Sequence, residues 1–394
     1  MKRILEELTE NKNIFLWDPI LLKGKKKSLL FKKPYKIFKL TTSHSVDDVK
    51  AVFHTMEELL KKGFFIAGWL SYELGYLLIK KLNPLILNKK NTIPLLWFGV
   101  YEKAIEIEQE IFDEFTATDI RPKLTLNVSK RQFISAINRI HDYIKSGDTY
   151  QINYTIKGKF IFNDNVESLY LALRKKQKVK YASFIKTGEG DFVLSLSPEL
   201  FFKIEDGIIS SKPMKGTAPR GKNKKDDEEI KQRLKKDKKN MAENVMIVDL
   251  LRNDIGKICQ IGSVNVPNLF KVEKYDTLFQ MISKVEGKLK NSVTLYDIIE
   301  AIFPCGSITG APKIRSMEII AELEKEPRGI YTGAIGYLTP DGNACFNVAI
   351  RTLHIKDGLG EIGIGAGITI GSDPEDEFKE TILKAKFLTN EINY

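Results

Sequence analysis

LFFKIEDGIIS, Leu200 to Ser210, places an Asp-Gly pair, Asp206-Gly207, between two apolar flanks. Asp-Gly accepts the positive backbone angles of a two-residue turn, and the flanks alternate as half-buried strands do, so the stretch predicts a tight hairpin. Further strand signals lie outward on both sides. Upstream are YQINYTIKGKFIF (Tyr150–Phe162), YASFIK (Tyr181–Lys186) and FVLSLS (Phe192–Ser197). Downstream are GAIGYLT (Gly333–Thr339), ACFNVAIRTLHI (Ala344–Ile355) and EIGIGAGITI (Glu361–Ile370), read as three successive strands. Strands joined this tightly pair antiparallel.

Helices are interleaved. In SVDDVKAVFHTMEELLKKG (Ser45–Gly63) apolar residues recur at helical spacing and Gly63 ends the run. SKRQ (Ser129–Gln132) has the form of a capping box, followed by Phe133, Ile137, Ile140 and Ile144 on one face. In MAENVMIVDLLRNDIG (Met241–Gly256), Met241, Val245, Val248 and Leu251 or Arg252 are expected to share a face. Another helix is read in APKIRSMEIIAELEKE, with Pro312 in its first turn. The last helix starts in GSDPEDEFKETILKAKFL, capped either by a Ser372–Glu375 box or by Asp373 before Pro374. Together these signals predict an α+β protein. The length of 394 residues allows two domains or one large one.

The composition excludes several classes. The net charge of +11 is scattered among acids, without the aromatic-interleaved basic stripe of a nucleic-acid binder; a lysine-biased proteome or an anionic small substrate explains it better. The three cysteines, Cys259, Cys305 and Cys345, lie far apart and form no zinc or disulfide pattern. The four histidines include no HExxH. The N-terminus MKRILEELTENKN is no signal peptide, and FFIAGWLSYELGYLLI (Phe64–Ile79) is short for a membrane span and carries Glu73, so a cytoplasmic protein is expected. GIGAG (Gly363–Gly367) is not a dinucleotide fingerprint. GSITGAPK (Gly306–Lys313) has the wrong spacing for a phosphate loop, and LSLSPEL has no nucleophile elbow.

What remains is a set of charged residues in small-residue settings. Glu377, Glu380 and Lys384 share one face of the last helix, just beyond the glycine-rich strand, and Glu243 lies mid-helix after Ala242. Such carboxylates suit Mg²⁺, which takes one or two of them; they also suit surface ion pairs with lysines. Arg351, read as facing the side of its strand that carries Asn347, Ala349 and Leu353, can grip a carboxylate or simply be solvated. KPMKGTAPRG (Lys212–Gly221) holds Lys215 without an acid nearby in sequence. Solvation, anion binding and nucleophilic chemistry are all open to it.

From about Ser129 onward the chain resembles the chorismate-utilising enzymes, which include the anthranilate, aminodeoxychorismate, isochorismate and salicylate synthases. The likeness is carried, in family order, by GDTYQINYT, LSLSPELFF, KPMKGTAPRG, AENVMIVDLLRNDIG, FPCGSITGAPKIRSMEIIAELE, YTGAIGY, FNVAIRTL and GIGAGITIGSDPEDEFKETILKAK; GWLSYELG (Gly68–Gly75) extends it towards the aminodeoxychorismate branch. The resemblance implies two large antiparallel sheets packed as a sandwich with helices outside. Residues 1–115 would contribute to that sandwich and 125–394 would form the chorismate-binding catalytic domain.

The resemblance also implies roles. Glu243 and Glu380 would hold Mg²⁺. Glu199 would be the general acid at the C4 hydroxyl. Arg351 and Lys384, with backbone N–H groups around Gly365 and Gly367, would bind the enolpyruvyl carboxylate; Thr217 and Gln280 join the substrate-binding groups. Gln151 stands where the water-activating branch places a lysine base, and a glutamine cannot activate water. Lys215 stands where anthranilate synthases carry alanine and the aminodeoxychorismate branch carries a lysine nucleophile. Gln280 replaces a histidine of anthranilate synthases, which disfavours pyruvate elimination. ILLKGKKK replaces their tryptophan-feedback motif. The implied activity is Mg-dependent amination of chorismate at C4 for p-aminobenzoate and folate synthesis. Ammonia would come from solution or from a separate glutaminase subunit, since no glutaminase arrangement or fused lyase segment is visible. Anthranilate synthesis, non-catalytic chorismate binding and a lysine Schiff-base enzyme are the alternatives.

Overall fold

The structure is a computed structural model and describes residues 2–20, 27–86, 93–112, 121–275 and 278–394, excluding the side chains of residues 2–5. Most of the lysine cluster KGKKK (Lys23–Lys27), whose sequence predicts a solvated hairpin or loop, lies outside the described residues, as does the start of ATDIRPKLTLN (Ala117–Asn127), whose sequence predicts a connector.

The opening hairpin forms as its sequence predicts. Asp206 and Gly207 take φ of 51° and 74°, and Glu205 pairs with Ile208 across them. This hairpin, Leu200–Glu205 and Ile208–Lys212, is central to a 10-stranded sheet. On one side follow Leu278–Lys288 and then Met214–Pro219. On the other follow Ala344–Val348, Ala334–Leu338, Phe65–Leu70, Leu96–Tyr101 and Lys36–Leu40. The second sheet has 11 strands, with Gln151–Ile161, Leu359–Ile368, Thr352–Lys356, Phe192–Ser197, Tyr181–Lys186 and Ile14–Asp18 as consecutive neighbours. Pairing is antiparallel among the described strands, except between Ile392–Asn393 and Leu124–Leu126.

The two sheets pack face to face. Phe15, Trp17 and Phe31 of the 11-stranded sheet bury against Trp69, Trp97 and Tyr101 of the other. The Phe31 and Tyr101 rings lie 5.4 Å apart, and Trp17 meets Tyr337 edge-on at 5.5 Å. Helices cover the outer faces. Val46–Lys61 buries Val49, Phe53, Met56 and Leu60, and its capping box is Ser45 with Asp48. Lys130–Lys145 buries Phe133, Ile137 and Ile140 behind the Ser129–Gln132 box, and Phe133 packs 5.3 Å from Phe378 of the last helix. Burying one such side chain contributes about 1.5–3 kcal/mol, against about 1 kcal/mol for a cap, and each helix buries several. The last helix, Pro374–Ala385, uses the second of its two predicted caps: Asp373 Oδ1 accepts from the Glu375 and Asp376 N–H groups, and Pro374 follows.

Two expectations are corrected. ACFNVAIRTLHI is not one strand. Ala344–Val348 belongs to the 10-stranded sheet and Thr352–Lys356 to the other, and the chain changes sheet between them. Arg351 therefore does not face the side of a strand with Asn347 and Leu353; it sits in the crossover with φ of 49°. A matching crossover in the opposite direction joins Phe192–Ser197 to Leu200–Glu205. The two are hydrogen-bonded side by side: Val348 N–H donates to Glu199 O (3.1 Å), Leu196 N–H to Arg351 O (3.0 Å) and Ser197 Oγ to Val348 O (2.6 Å). The second correction concerns Lys238–Ile258. Its buried face is Asn244, Ile247, Val248, Leu251, Ile255 and Ile258, and Val245 is exposed. Apolar residues surround that helix on most sides, so their spacing alone did not fix which stripe turns inward.

Candidate active site

The paired crossovers place Glu199 and Arg351 where the two sheets exchange strands. Glu199, Glu243, Glu380 and Lys384 act electrostatically on Lys215, whereas Arg351 shares its cavity with none of them. Lys215 lies on Met214–Pro219, which pairs with Leu278–Lys288 through a bulge between Met214 and Thr217. The stretch around Lys215 is thus an irregular strand. A bulge re-aims a side chain that regular pleating would direct elsewhere. Gly216 makes it possible with φ of 75° and with Asn240 packed where its Cβ would be. Gln280 pairs with Thr217 across the strands and spans the bulge: its Nε2 donates to Gly216 O (2.9 Å), and its Oε1 accepts from Thr217 Oγ1 (2.9 Å). Both ends of the amide are therefore engaged in holding the lysine strand.

Lys215 Nζ points at Gly367 of the strand Leu359–Ile368; a Cβ there would lie 3.3 Å from Nζ and 2.5 Å from Gln151 Nε2. Gln151 is 1% exposed, and its Oε1 has no hydrogen-bond partner among the described residues. Nor does Lys215 Nζ have a hydrogen bond or ion pair among them. Burial pushes its amine below the ordinary lysine range; Glu243, Glu199 and Glu380 work against that shift, and Lys384 with it. Of the sequence alternatives for Lys215, simple solvation does not describe this placement.

Glu199 is 5% exposed. Burial raises its carboxyl to about 7, against the opposing pull of Ser307, the Lys215 charge and a backbone hydrogen bond from Met214. Ser307 Oγ donates to Glu199 Oε1 at 2.7 Å. A buried carboxylic acid that holds its proton near neutrality suits general acid chemistry. Arg351 donates to Gln177 Oε1 at 3.1 Å, and burial disfavours its charge. It lines a cavity of about 370 Å³ together with Pro198, Met214, Gln280, Tyr275 and a lysine rim that includes Lys175 and Lys178.

Glu243 and Glu380 come from different helices, Lys238–Ile258 and Pro374–Ala385, and both act on the charge of Lys215. The donors are hard oxygens. No group of three metal-ligating side chains forms among the described residues. Mg²⁺ characteristically takes only one or two carboxylates and completes its shell with water and substrate, so the pair fits that ion. Glu380 is meanwhile paired with Lys384 at 2.9 Å in a half-exposed i,i+4 bridge, the surface pairing that the sequence also allowed. Lys384 Nζ donates to Gly365 O at 2.9 Å as well, which ties the last helix to the glycine-rich strand.

Sequence reasoning missed Ser307 and Gln177. Ser307 lies in GSITGAPK, set aside as a failed phosphate loop, whose Lys313 pairs with Asp254 (2.5 Å) and is not directed at a phosphate site. Small residues carry no chemical signature of their own, and only the stretch's place in the family order pointed to it. Gln177 lies in the charged run RKKQKVK (Arg174–Lys180), which offers no such signal.

A family model described as chorismate binding enzyme matches residues 12–390. The aminodeoxychorismate synthase of Arabidopsis thaliana is 40% identical over 73% of this chain and 32% of its own length. Component 1 of anthranilate synthase from Acetivibrio thermocellus is 39% identical over 68% of the chain and 54% of its own length. Component 1 of aminodeoxychorismate synthase from Bacillus subtilis is 36% identical over 72% of the chain and 62% of its own length. The matched region thus spans from 32% to 62% of these relatives' own length. Among solved structures, anthranilate synthase component I from Streptococcus pneumoniae superposes with a TM-score of 0.77 at 26% identity, covering 93% of each chain.

Proposed function

We propose that this chain, which belongs to the chorismate-binding enzyme family, replaces the C4 hydroxyl of chorismate with an amine. The product, 4-amino-4-deoxychorismate, would serve p-aminobenzoate and folate synthesis. The observation that carries the reading is Lys215: a bulge directs its amine at Gly367, burial favours its neutral form, and Glu199 lies within electrostatic reach.

The neutral amine of Lys215 attacks C2, the ring double bonds shift, and the C4 hydroxyl leaves as water with the proton of Glu199. Ammonia then attacks C4, the double bonds shift back, and Lys215 leaves as a neutral amine. Solvent reprotonates Glu199. Arg351, with Lys384 near Gly365, binds the enolpyruvyl carboxylate. Glu243 and Glu380 would hold Mg²⁺, which when bound polarises the ring carboxylate and draws electrons from the ring. The amide of Gln280 cannot carry a proton, so the enolpyruvyl group is retained. Ammonia comes from solution or from a separate glutaminase subunit, and the protein acts in the cytoplasm.

Anthranilate synthesis is the second reading, favoured by the Acetivibrio relative, whose identity nearly equals that of the plant enzyme. One assay separates the two: purified protein, chorismate, Mg²⁺ and an ammonium salt, with products read by mass spectrometry beside Lys215→Ala. Aminodeoxychorismate that is lost in the variant supports the amination route. Anthranilate would overturn it.

A further inference from the structure

Cys305 is 3% exposed, and its Sγ lies 3.3 Å from Ser307 Oγ. Ser307, itself buried, donates to Glu199 Oε1 at 2.7 Å. A serine hydroxyl has one proton to give. With that proton on Glu199, the contact between sulfur and hydroxyl oxygen is a hydrogen bond only if the thiol donates. The thiol is able to do so: burial, and secondarily the charge of Glu199, push it up to about 12, so the sulfur keeps its hydrogen. That also removes it from nucleophilic or thiolate chemistry.

We propose that Cys305 is a positioning residue for Glu199: its thiol donates to Ser307 Oγ and fixes the Ser307 hydroxyl as a donor to Glu199 Oε1. The role rests on Glu199 being the acid of the reaction above. Without the thiol, the Ser307 hydroxyl is free to rotate and donate elsewhere. The other groups that face this carboxyl, Lys215 and the Met214 backbone, come from the strand Met214–Pro219 and are untouched by changes at 305; Lys313 faces the thiol and is held by Asp254. Because a Ser307 donor favours the ionised carboxylate, losing its orientation leaves Glu199 protonated to higher pH.

The test uses the resting protein without substrate, so its result is independent of which product the enzyme makes. The S–H infrared band of Cys305 is identified as the one absent from Cys305→Ala. It should lie at the lowered frequency of a donating thiol and move in Ser307→Ala. The ¹³C titration of the Glu199 carboxyl, assigned with Glu199→Gln, should move up by about 0.5 pH unit in Cys305→Ala, the scale of one weak hydrogen bond. Cys305→Ser, which keeps a donor, should restore the native titration or lower it. A free-thiol band in the native protein overturns the proposal, whether or not the variants fold. So does a Glu199 titration that stays put in Cys305→Ala or shifts equally in Cys305→Ser. A failed amination assay with these shifts intact would count against the reaction and leave the relay standing.

Discussion

Lys215 Nζ stands 3.3 Å from the point where a Cβ on Gly367 would sit, and that same Cβ would come within 2.5 Å of Gln151 Nε2. The space above Gly367 is therefore shared by an amine and an amide, and on the proposed amination route it is where substrate meets Lys215. Gly367→Ala fills that space. The nearest clashing atom is the end of a flexible side chain, so the fold should survive with a small loss in melting temperature. The displaced amide would shift towards Lys215, and reactant misplacement is costly. Turnover of chorismate should fall about tenfold or more. Native turnover in a folded Gly367→Ala protein would mean that the substrate does not approach this strand.

Glu199 makes stability depend on pH in a defined direction. Its folded-state carboxyl is raised to about 7 from an ordinary value of 4.5. A raised group binds protons more tightly in the folded state, so its contribution is fully present below about pH 4.5 and lost as pH rises through 7. Glu199→Gln cannot ionise and escapes that loss. Relative to the native protein, the variant should gain about 2–3 kcal/mol between pH 5 and pH 8, taking one pH unit as about 1.4 kcal/mol. Urea melts at the two pH values measure it. Its turnover should fall at least a hundredfold for want of the proton. Parallel pH profiles for the two proteins would show that Glu199 titrates as an ordinary carboxylate.

These relationships were unequally legible in the sequence. The Asp206-Gly207 hairpin and the capped helices were readable because turn chemistry and helical period are local. The crossovers were not. Alternation runs unbroken through Ala349, Ile350 and Arg351, and nothing in it marks the change of sheet; Pro198 is the sole punctuation in the other crossover. The same holds for the bulge at Lys215, which depends on the partner strand carrying Gln280. Lys215 and Arg351 stand out as charged residues in small-residue settings, but their roles, and Glu199 altogether, come from the resemblance, since carboxylates and cations at these spacings are equally good surface residues. Ser307 and Cys305 acquire meaning only once Glu199 is folded against them.

Gln280 holds the bulge by two hydrogen bonds, one to Gly216 O and one from Thr217 Oγ1. Gln280→Ala removes both and loosens the bulge that aims Lys215, while the strand pairs on either side remain. If the glutamine acts by positioning the lysine, kcat should drop about tenfold while KM changes little. Thr217→Val, which spares the bond to Gly216, should cost less. A raised KM with kcat preserved would instead identify Gln280 as a group that grips substrate directly.

The lysine rim should act before binding. Lys175 and Lys178 are exposed at the mouth of the cavity that Arg351 lines, and chorismate carries two carboxylates. Surface charge of one sign around a cleft raises the encounter rate with an oppositely charged ligand, and salt screens it over about 10 Å at 0.1 M. In the Lys175→Gln, Lys178→Gln double variant, kcat/KM at low ionic strength should fall about threefold, with kcat unchanged. The difference from native protein should close as salt is raised to about 0.5 M, where the screening length is only a few ångströms. A deficit that persists at high salt would assign these lysines to direct contact with bound substrate, and equal rates at every salt concentration would remove them from capture.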